Sequence, residues 1–194
     1  AFSAAIHQNR ATAIPVLSNN LISILETLGM PNVRFNIELL PSETYFQNGK
    51  DELQFLFSAN KGTDFGLLKK VASGGELSRL MLAIKSIMAK HTALPTLIFD
   101  EIDTGISGET ALRVGDVIGD LEKNMQVICI THLPQIAAKG EAHYFVYKNE
   151  KGVRPTTGIR RLDSAERVQV IAEMLSGKDP GVPAIANAKE LLGY

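Results

Sequence analysis

The stretch Thr96-Leu97-Ile98-Phe99-Asp100-Glu101 decides how this chain is read. An apolar run stops abruptly at two adjacent carboxylates. Buried strands in α/β proteins are short continuous runs of β-branched and large apolar residues. Ligand sites in such sheets lie beyond the strands' carboxyl ends. Asp100 and Glu101 thus occupy the position expected to meet a nucleotide and a metal. Alone, the pattern also describes a strand leaving the core into a solvated loop. Its weight comes from Ser73-Gly74-Gly75-Glu76-Leu77-Ser78-Arg79 upstream and Ile130-Thr131-His132-Leu133-Pro134 downstream.

Ser73-Gly74-Gly75 precedes an amphipathic helical pattern marked by Leu77, Leu80, Met81, Ile84, Ile87 and Met88. Two glycines let backbone N–H groups approach a ligand, and a helix N-terminus favours an anion. The same residues also read as a plain N-cap with a flexible entry turn. Beyond the carboxylates, Asp103-Thr104-Gly105-Ile106-Ser107-Gly108 is a small-residue loop in which Asp103 alone reads as a turn residue. Ser107 is an expected N-cap for a helix that turns Ala111, Val114, Ile118 and Leu121 inward. Gln126–Ile130 reads as a second buried strand, which brings His132 to the same sheet edge as the carboxylates. A histidine there can donate a hydrogen bond to a phosphate oxygen or to an attacking water. The gaps between the three segments allow one helix per crossover. Together they describe one nucleotide machine better than three coincidences.

The flanks are ordinary by comparison. Ile14, Leu17, Leu21, Ile24 and Leu28 form an apolar helical seam, with a kink or fresh start expected at Pro15 and a stop at Gly29 before Pro31. Alternation over Val33–Leu39 and Leu53–Phe57 predicts an antiparallel hairpin, its longish loop holding Pro41 and Asn48-Gly49. A short helix is expected near Pro134–Ala138. Tyr144–Lys148 and Gly158–Leu162 read as edge strands joined by a glycine-containing turn. Asp163-Ser164-Ala165-Glu166 resembles a capping box before a helix with Val168, Ile171, Ala172 and Leu175 inward, and a last helix closes the chain over about Pro183–Leu192.

Composition narrows the function classes. With 194 residues and 45% hydrophobic content, the chain suits one domain, or one domain and an appendage. A net charge of −1 leaves no overall electrostatic footprint for nucleic acid, and Lys69-Lys70 and Arg160-Arg161 read as solvated pairs. No apolar run approaches the roughly 20 residues that span a bilayer. The lone Cys129, inside an apolar run, reads as a buried small hydrophobe and fits a reducing cytoplasm. His7, His91 and His143 have no partnering pattern. A start at Ala1, already inside a helical pattern, suggests a piece of something longer.

These residues resemble the C-terminal half of an ABC-type ATPase head. SGGELSR matches its signature motif, TLIFDEID its Walker B strand, the region of Asp103 its D-loop, and ITHLPQIA its switch histidine. The wording VASGGELSRLMLAIK, FDEIDTGISG and CITHLPQIAA is similar to the RecN family of bacterial recombinational repair proteins, relatives of the SMC ATPases. The motif-bearing match runs from about Val71 to Ala138.

The resemblance implies an α/β fold, the C-terminal lobe of an ABC-type head: a partly parallel sheet flanked by helices, with an N-terminal hairpin and an arm-helix stub. Residues 1–30 would be the end of a coiled-coil arm and 31–194 the lobe. It further implies that Asp100 binds Mg²⁺, that Glu101 is the general base, and that His132 senses the γ-phosphate of ATP. Ser73, Gly74 and Gly75, with Glu76 in the same motif, would grip ATP held by an opposing head, and Asp103 would communicate across that dimer. The implied partners are an N-terminal lobe of the same protein, a second head in an ATP-dependent homodimer, and DNA, but no membrane. The implied location is the bacterial cytoplasm, at the nucleoid. G-x-x-x-x-G-K-[ST] is absent from the 194 residues. The triphosphate-holding lobe is therefore expected outside this sequence, and the chain alone is expected to be inactive. Competing readings are another SMC-type or RecF-like head, a freestanding metal-dependent hydrolase using Asp100, Glu101, Asp103 and His132 as ligands, and an interaction module with a decayed nucleotide fold.

Overall fold

A computed structural model describes residues 2–68, 72–92, 94–100, 102–149 and 156–194. Glu101, the Lys69-Lys70 pair, Val71 and the turn around Gly152 lie outside the described residues. The chain forms two compact units, Ala1–Leu94 with Thr104–Ile106 and Pro95–Asp103 with Ser107–Tyr194.

In the first unit, α1 (Phe2–Thr27) runs through Pro15 as one helix, so the proline opens no new element. A proline inside a helix removes one backbone hydrogen bond, and here the turns on either side hold the helix together. Leu21, Leu25 and Leu28 are fully buried, anchoring the C-terminal part of α1. The helix stops as its sequence predicts, with Gly29 at φ 81° and Met30 N–H donating to Leu25 O.

The expected hairpin loop is mostly strand. β1 (Arg34–Phe46) pairs antiparallel with β2 (Gly49–Ser58) to the tip, where Phe46 faces Gly49. The irregularity falls between Pro41 and Phe46, where β1 carries more residues than β2. Pro41 still faces Asp51, and the extra β1 residues that follow it are absorbed by a bulge before Phe46. β3 (Gly66–Leu67) adds a short third strand that the sequence pattern did not announce. Phe35 packs against Phe55 and Phe57, with centroids 5.8 and 5.5 Å apart.

α2 (Gly74–His91) is the predicted amphipathic helix, but its inward face differs in part. Leu80, Leu82, Ala83, Ser86 and Ala89 are buried, whereas Leu77, Met81 and Met88 are exposed. Apolar residues lie on both sides of this helix, so the periodic set is only partly inward: Leu80 is buried, and Ile84 and Ile87 are half-buried.

The second unit holds the parallel pair. β4 (Thr96–Asp100) lies beside β5 (Gln126–Ile130) in register from Thr96 opposite Gln126 to Asp100 opposite Ile130. Between them runs α3 (Gly108–Glu122), the crossover helix that parallel pairing requires, burying Ala111, Val114, Ile118 and Leu121 as predicted. The two strands are not buried on both faces. Phe99 is covered, while Ile98, Ile128 and Ile130 are 55%, 44% and 56% exposed. α4 (Pro134–Ala137) follows β5. β6 (Tyr144–Asn149) and β7 (Thr156–Arg161) form an antiparallel pair of their own. α5 (Ser164–Ser176) begins at the predicted capping box between Asp163 and Glu166. It packs Ile171 and Ala172 with Ala138 at the end of α4 and Ala188 of α6 (Val182–Leu192).

Candidate functional site

The parallel register delivers the chemistry-bearing residues of the second unit to one edge. Asp100 is the last residue of β4 and is exposed, opposite the final residue of β5. His132 lies two positions beyond β5, at the same carboxyl edge.

Asp103 turns inward. The residue is only 2% exposed, and its Oδ2 gathers three contacts from the segment after β5. Thr131 Oγ1 donates to it at 2.5 Å and the His132 backbone N–H at 2.8 Å. His132 Nδ1 lies 2.9 Å away. Thr131 Oγ1 in turn accepts from Leu133 N–H at 3.0 Å. Burial alone raises a carboxyl pKa, yet the Thr131 hydroxyl, the His132 amide, Asp103's own amide and the His132 charge together hold this one below its usual range. The His132 side chain stays 74% exposed. With Nδ1 against a carboxylate, Nε2 is the ring atom left for water or phosphate.

Sequence reasoning passed over Thr131, whose hydroxyl joins Asp103 to Leu133. This threonine stood inside the Ile130-Thr131-His132 stretch, where only the histidine was assigned chemistry. Cys129, also on β5, is half-buried; burial, followed by the negative charge of Asp103, pushes its thiol up to about 11.

In the first unit, Ser73 caps α2. Glu76 N–H donates to Ser73 Oγ at 3.4 Å, while the Glu76 carboxylate accepts from Ser73 N–H at 2.8 Å and from its hydroxyl at 2.9 Å. Both readings of Ser-Gly-Gly thus meet at one place: the exposed hydroxyl that could meet a phosphate is engaged by Glu76. Gly75 has a separate reason to be glycine. A Cβ there would sit 3.0 Å from Thr104 O and 3.4 Å from Gly105 O, so a side chain would push the loop at 104–106 away from the helix N-terminus. Arg79, lower on the same helix, has its Nε buried without a hydrogen-bond partner, and burial pulls its pKa down against the opposing pull of Glu76.

Among the described residues, no three His, Cys, Asp or Glu side chains cluster closely enough to hold a metal by themselves. None of the described helices is long and apolar enough to cross a membrane.

The chain is 38% identical to the DNA repair protein RecN of Halalkalibacterium halodurans over 194 residues, 98% of its own length. It belongs to the RecN family. RecN of Haemophilus influenzae is 39% identical over 99% of the chain. The chain spans about a third of these RecN relatives, 34% and 35% of their lengths, and corresponds to their C-terminal part. No protein-family model matches it. A chain solved in work on ATP-driven dimerisation and DNA-stimulated activation of SMC ATPases superposes with a TM-score of 0.58 at 22% identity. That likeness covers 90% of this chain and 99% of the other, and it shows a shared SMC-head fold for this RecN segment.

Proposed function

We propose that this chain is the C-terminal lobe of a RecN-type ATPase head that hydrolyses ATP with Mg²⁺ during recombinational repair of DNA double-strand breaks. The observation that carries the reading is the shared edge of β4 and β5, where Asp100 is exposed and His132 is held by Asp103. Its partners in this reading are an N-terminal lobe of the same protein, a second head in an ATP-dependent homodimer, and DNA; its location is the bacterial cytoplasm, at the nucleoid. Residues 1–30 act as the arm end and 31–194 as the lobe. Support for pairing comes from the SMC ATPase relative described for ATP-driven dimerisation.

The donor set fits Mg²⁺. This hard cation binds through one or two carboxylates, substrate phosphates and retained waters and needs no all-protein cage. Asp100, an exposed oxygen donor without a metal-ligand cluster around it, suits that mode. When bound, the ion would offset the negative charge of the phosphates. In hydrolysis the water oxygen attacks the γ-phosphorus, the bond to the β,γ-bridging oxygen breaks, and ADP leaves with that electron pair. Glu101 takes the water's proton, a role that rests on the family resemblance. His132 Nε2 meets a γ-phosphate oxygen or the attacking water. Ser73, Gly74 and Gly75 grip the phosphate of ATP on the opposing head, Glu76 yielding the Ser73 hydroxyl as the phosphate arrives. Asp103 links the site to the dimer. The exposed faces of Ile128 and Ile130 suit an apolar contact with the remaining lobe.

The test is phosphate release by this chain with and without the preceding part of a full-length RecN. We expect background turnover alone, restored turnover with the missing part, and loss of that turnover in Asp100→Ala and Glu101→Gln. Robust Asp100-dependent hydrolysis by the chain alone would favour a freestanding hydrolase and sink the reading.

A further inference from the structure

Asp103 is placed in a way that a turn residue does not need. A turn aspartate is solvated, whereas this carboxylate is withdrawn from water, and its one ion-pair partner among the described residues is an exposed imidazole. Burying a carboxylate without a full cation is costly. The backbone of residues 131–133 could be fastened more cheaply, because the Thr131 hydroxyl and the His132 amide need only a neutral acceptor. An asparagine oxygen would serve both. What a neutral acceptor cannot supply is a negative charge 2.9 Å from His132 Nδ1. Two requirements therefore converge on one side chain: the segment's path is fixed by dipoles, and the ring's proton is fixed by charge.

We propose that Asp103 is the positioning residue of His132: its buried carboxylate holds the ring with the proton on Nδ1, so that Nε2 is presented to the phosphate or the attacking water. This inference rests on the reading of His132 as the group that meets ATP. It gives Asp103 a task inside its own head, in addition to any part in pairing. Thr131 serves as the brace, its hydroxyl donating to Asp103 while accepting from Leu133 N–H. When the imidazole is neutral, Nε2 accepts a proton; when it is charged, both nitrogens donate and the carboxylate balances the ring. Either state needs the same ring orientation.

The test uses the full-length protein with ¹⁵N-labelled histidine, the His132 signals being assigned by their loss in His132→Gln. Two-bond nitrogen–proton correlations report the ring tautomer directly. In the parent protein we expect the Nδ1–H form. In Asp103→Asn the amide can donate to Nδ1, so we expect the Nε2–H form to gain, while thermal melting shows a folded protein. Steady-state hydrolysis should fall about 10²-fold in kcat, the range of a lost acid–base group, with KM changed far less. Asp103→Asn combined with His132→Gln should be no slower than His132→Gln alone, because residues acting as a unit do not add. Thr131→Val keeps the charge and should keep the Nδ1–H form. An Nε2–H form in the parent, or a tautomer unmoved by Asp103→Asn, overturns the positioning role. Unchanged hydrolysis in His132→Gln would instead overturn the reading of His132, while the tautomer data still decide what Asp103 does.

Discussion

Each unit holds an aspartate side chain beside a histidine, and the two differ in what else balances the carboxylate. In the first unit the Asp51 side chain is 4% exposed, with His7 Nδ1 at 2.7 Å and Arg10 Nη1 at 2.8 Å. Arg10 also donates to Asn48 O at 2.6 Å, which fastens α1 to the tip of the β1–β2 hairpin. Gly49, at the hairpin tip, has φ 121°, a conformation that favours glycine, and a Cβ there would only touch Arg10 and Ile6 at ordinary contact distance. In the second unit Asp103 has its histidine but, among the described residues, no arginine. Arginine stays protonated at any relevant pH, so Asp51 has a permanent counter-charge and its histidine is an accessory. Asp103 is balanced by dipoles and an exposed imidazole. A carboxylate matched by a fixed cation suits a structural clasp; one facing an exposed ring is placed to orient it.

That contrast can be broken in several ways, the largest through turnover. Asp103→Ala should slow ATP hydrolysis by the full-length protein about 10²-fold, whereas Asp51→Ala should leave it within about twofold. Equal losses in steady-state phosphate release would mean that both aspartates are merely structural.

Stability should show the reverse order along α1. Asp51→Asn removes the counter-charge of a partly buried arginine, so amides over Phe2–Ile14 should lose hydrogen-exchange protection while those near Leu21 and Leu25 keep theirs. Pro15 lies between the two anchors and marks the boundary. Asp103→Asn should cost about 1–3 kcal/mol, the usual penalty when a buried polar contact is lost, and leave α1 protection untouched. Uniform loss along the whole helix in Asp51→Asn would show that the clasp and the core anchor are one cooperative element.

Acid supplies a third comparison. Hydrogen bonds from His7, then from Arg10, hold Asp51 below the ordinary carboxylate range, and Asp103 is likewise depressed despite its burial. A depressed folded pKa contributes stability that is fully present above the unfolded value of about 3.9 and is lost as pH falls through the folded one. These two carboxylates should therefore add a fall in the melting midpoint below about pH 4. Either asparagine variant should soften that drop, and an unchanged acid limb in both would remove these carboxylates as its cause.

The smallest effect tests the accessory histidine. His7→Ala should move Tm by about 2 °C or less, as expected for a half-exposed ion pair. A larger shift in a thermal melt would mean that Arg10 alone does not balance Asp51.

What the sequence made legible follows the range of each signal. The capping box at Asp163–Glu166 and the inward set of α3 are written within a helical turn, and both appear as read. The order of glycine-led helix, apolar strand with carboxylates, and apolar strand with histidine was enough to identify the parallel pair and its edge. The inward face of α2 was partly misread because Leu77 and Met81 offer as good a stripe as Leu82 and Ala83, and only tertiary packing chooses. His7 looked idle because its aspartate is 44 residues away. Asp103 looked like a turn residue because Asp-Thr-Gly is turn chemistry; its inward carboxylate depends on where β5 ends, which no local pattern encodes.

Cys129 gives the experimenter an advantage. The sequence holds one cysteine, and a thiol pushed up to about 11 exposes about one thiolate in ten thousand at neutral pH. Maleimides and disulfide reagents should pass it by. A cysteine introduced on α1 or at the hairpin tip would then be the only reactive thiol among these 194 residues, so paired fluorophores or spin labels could follow the clasp without first removing a native side chain.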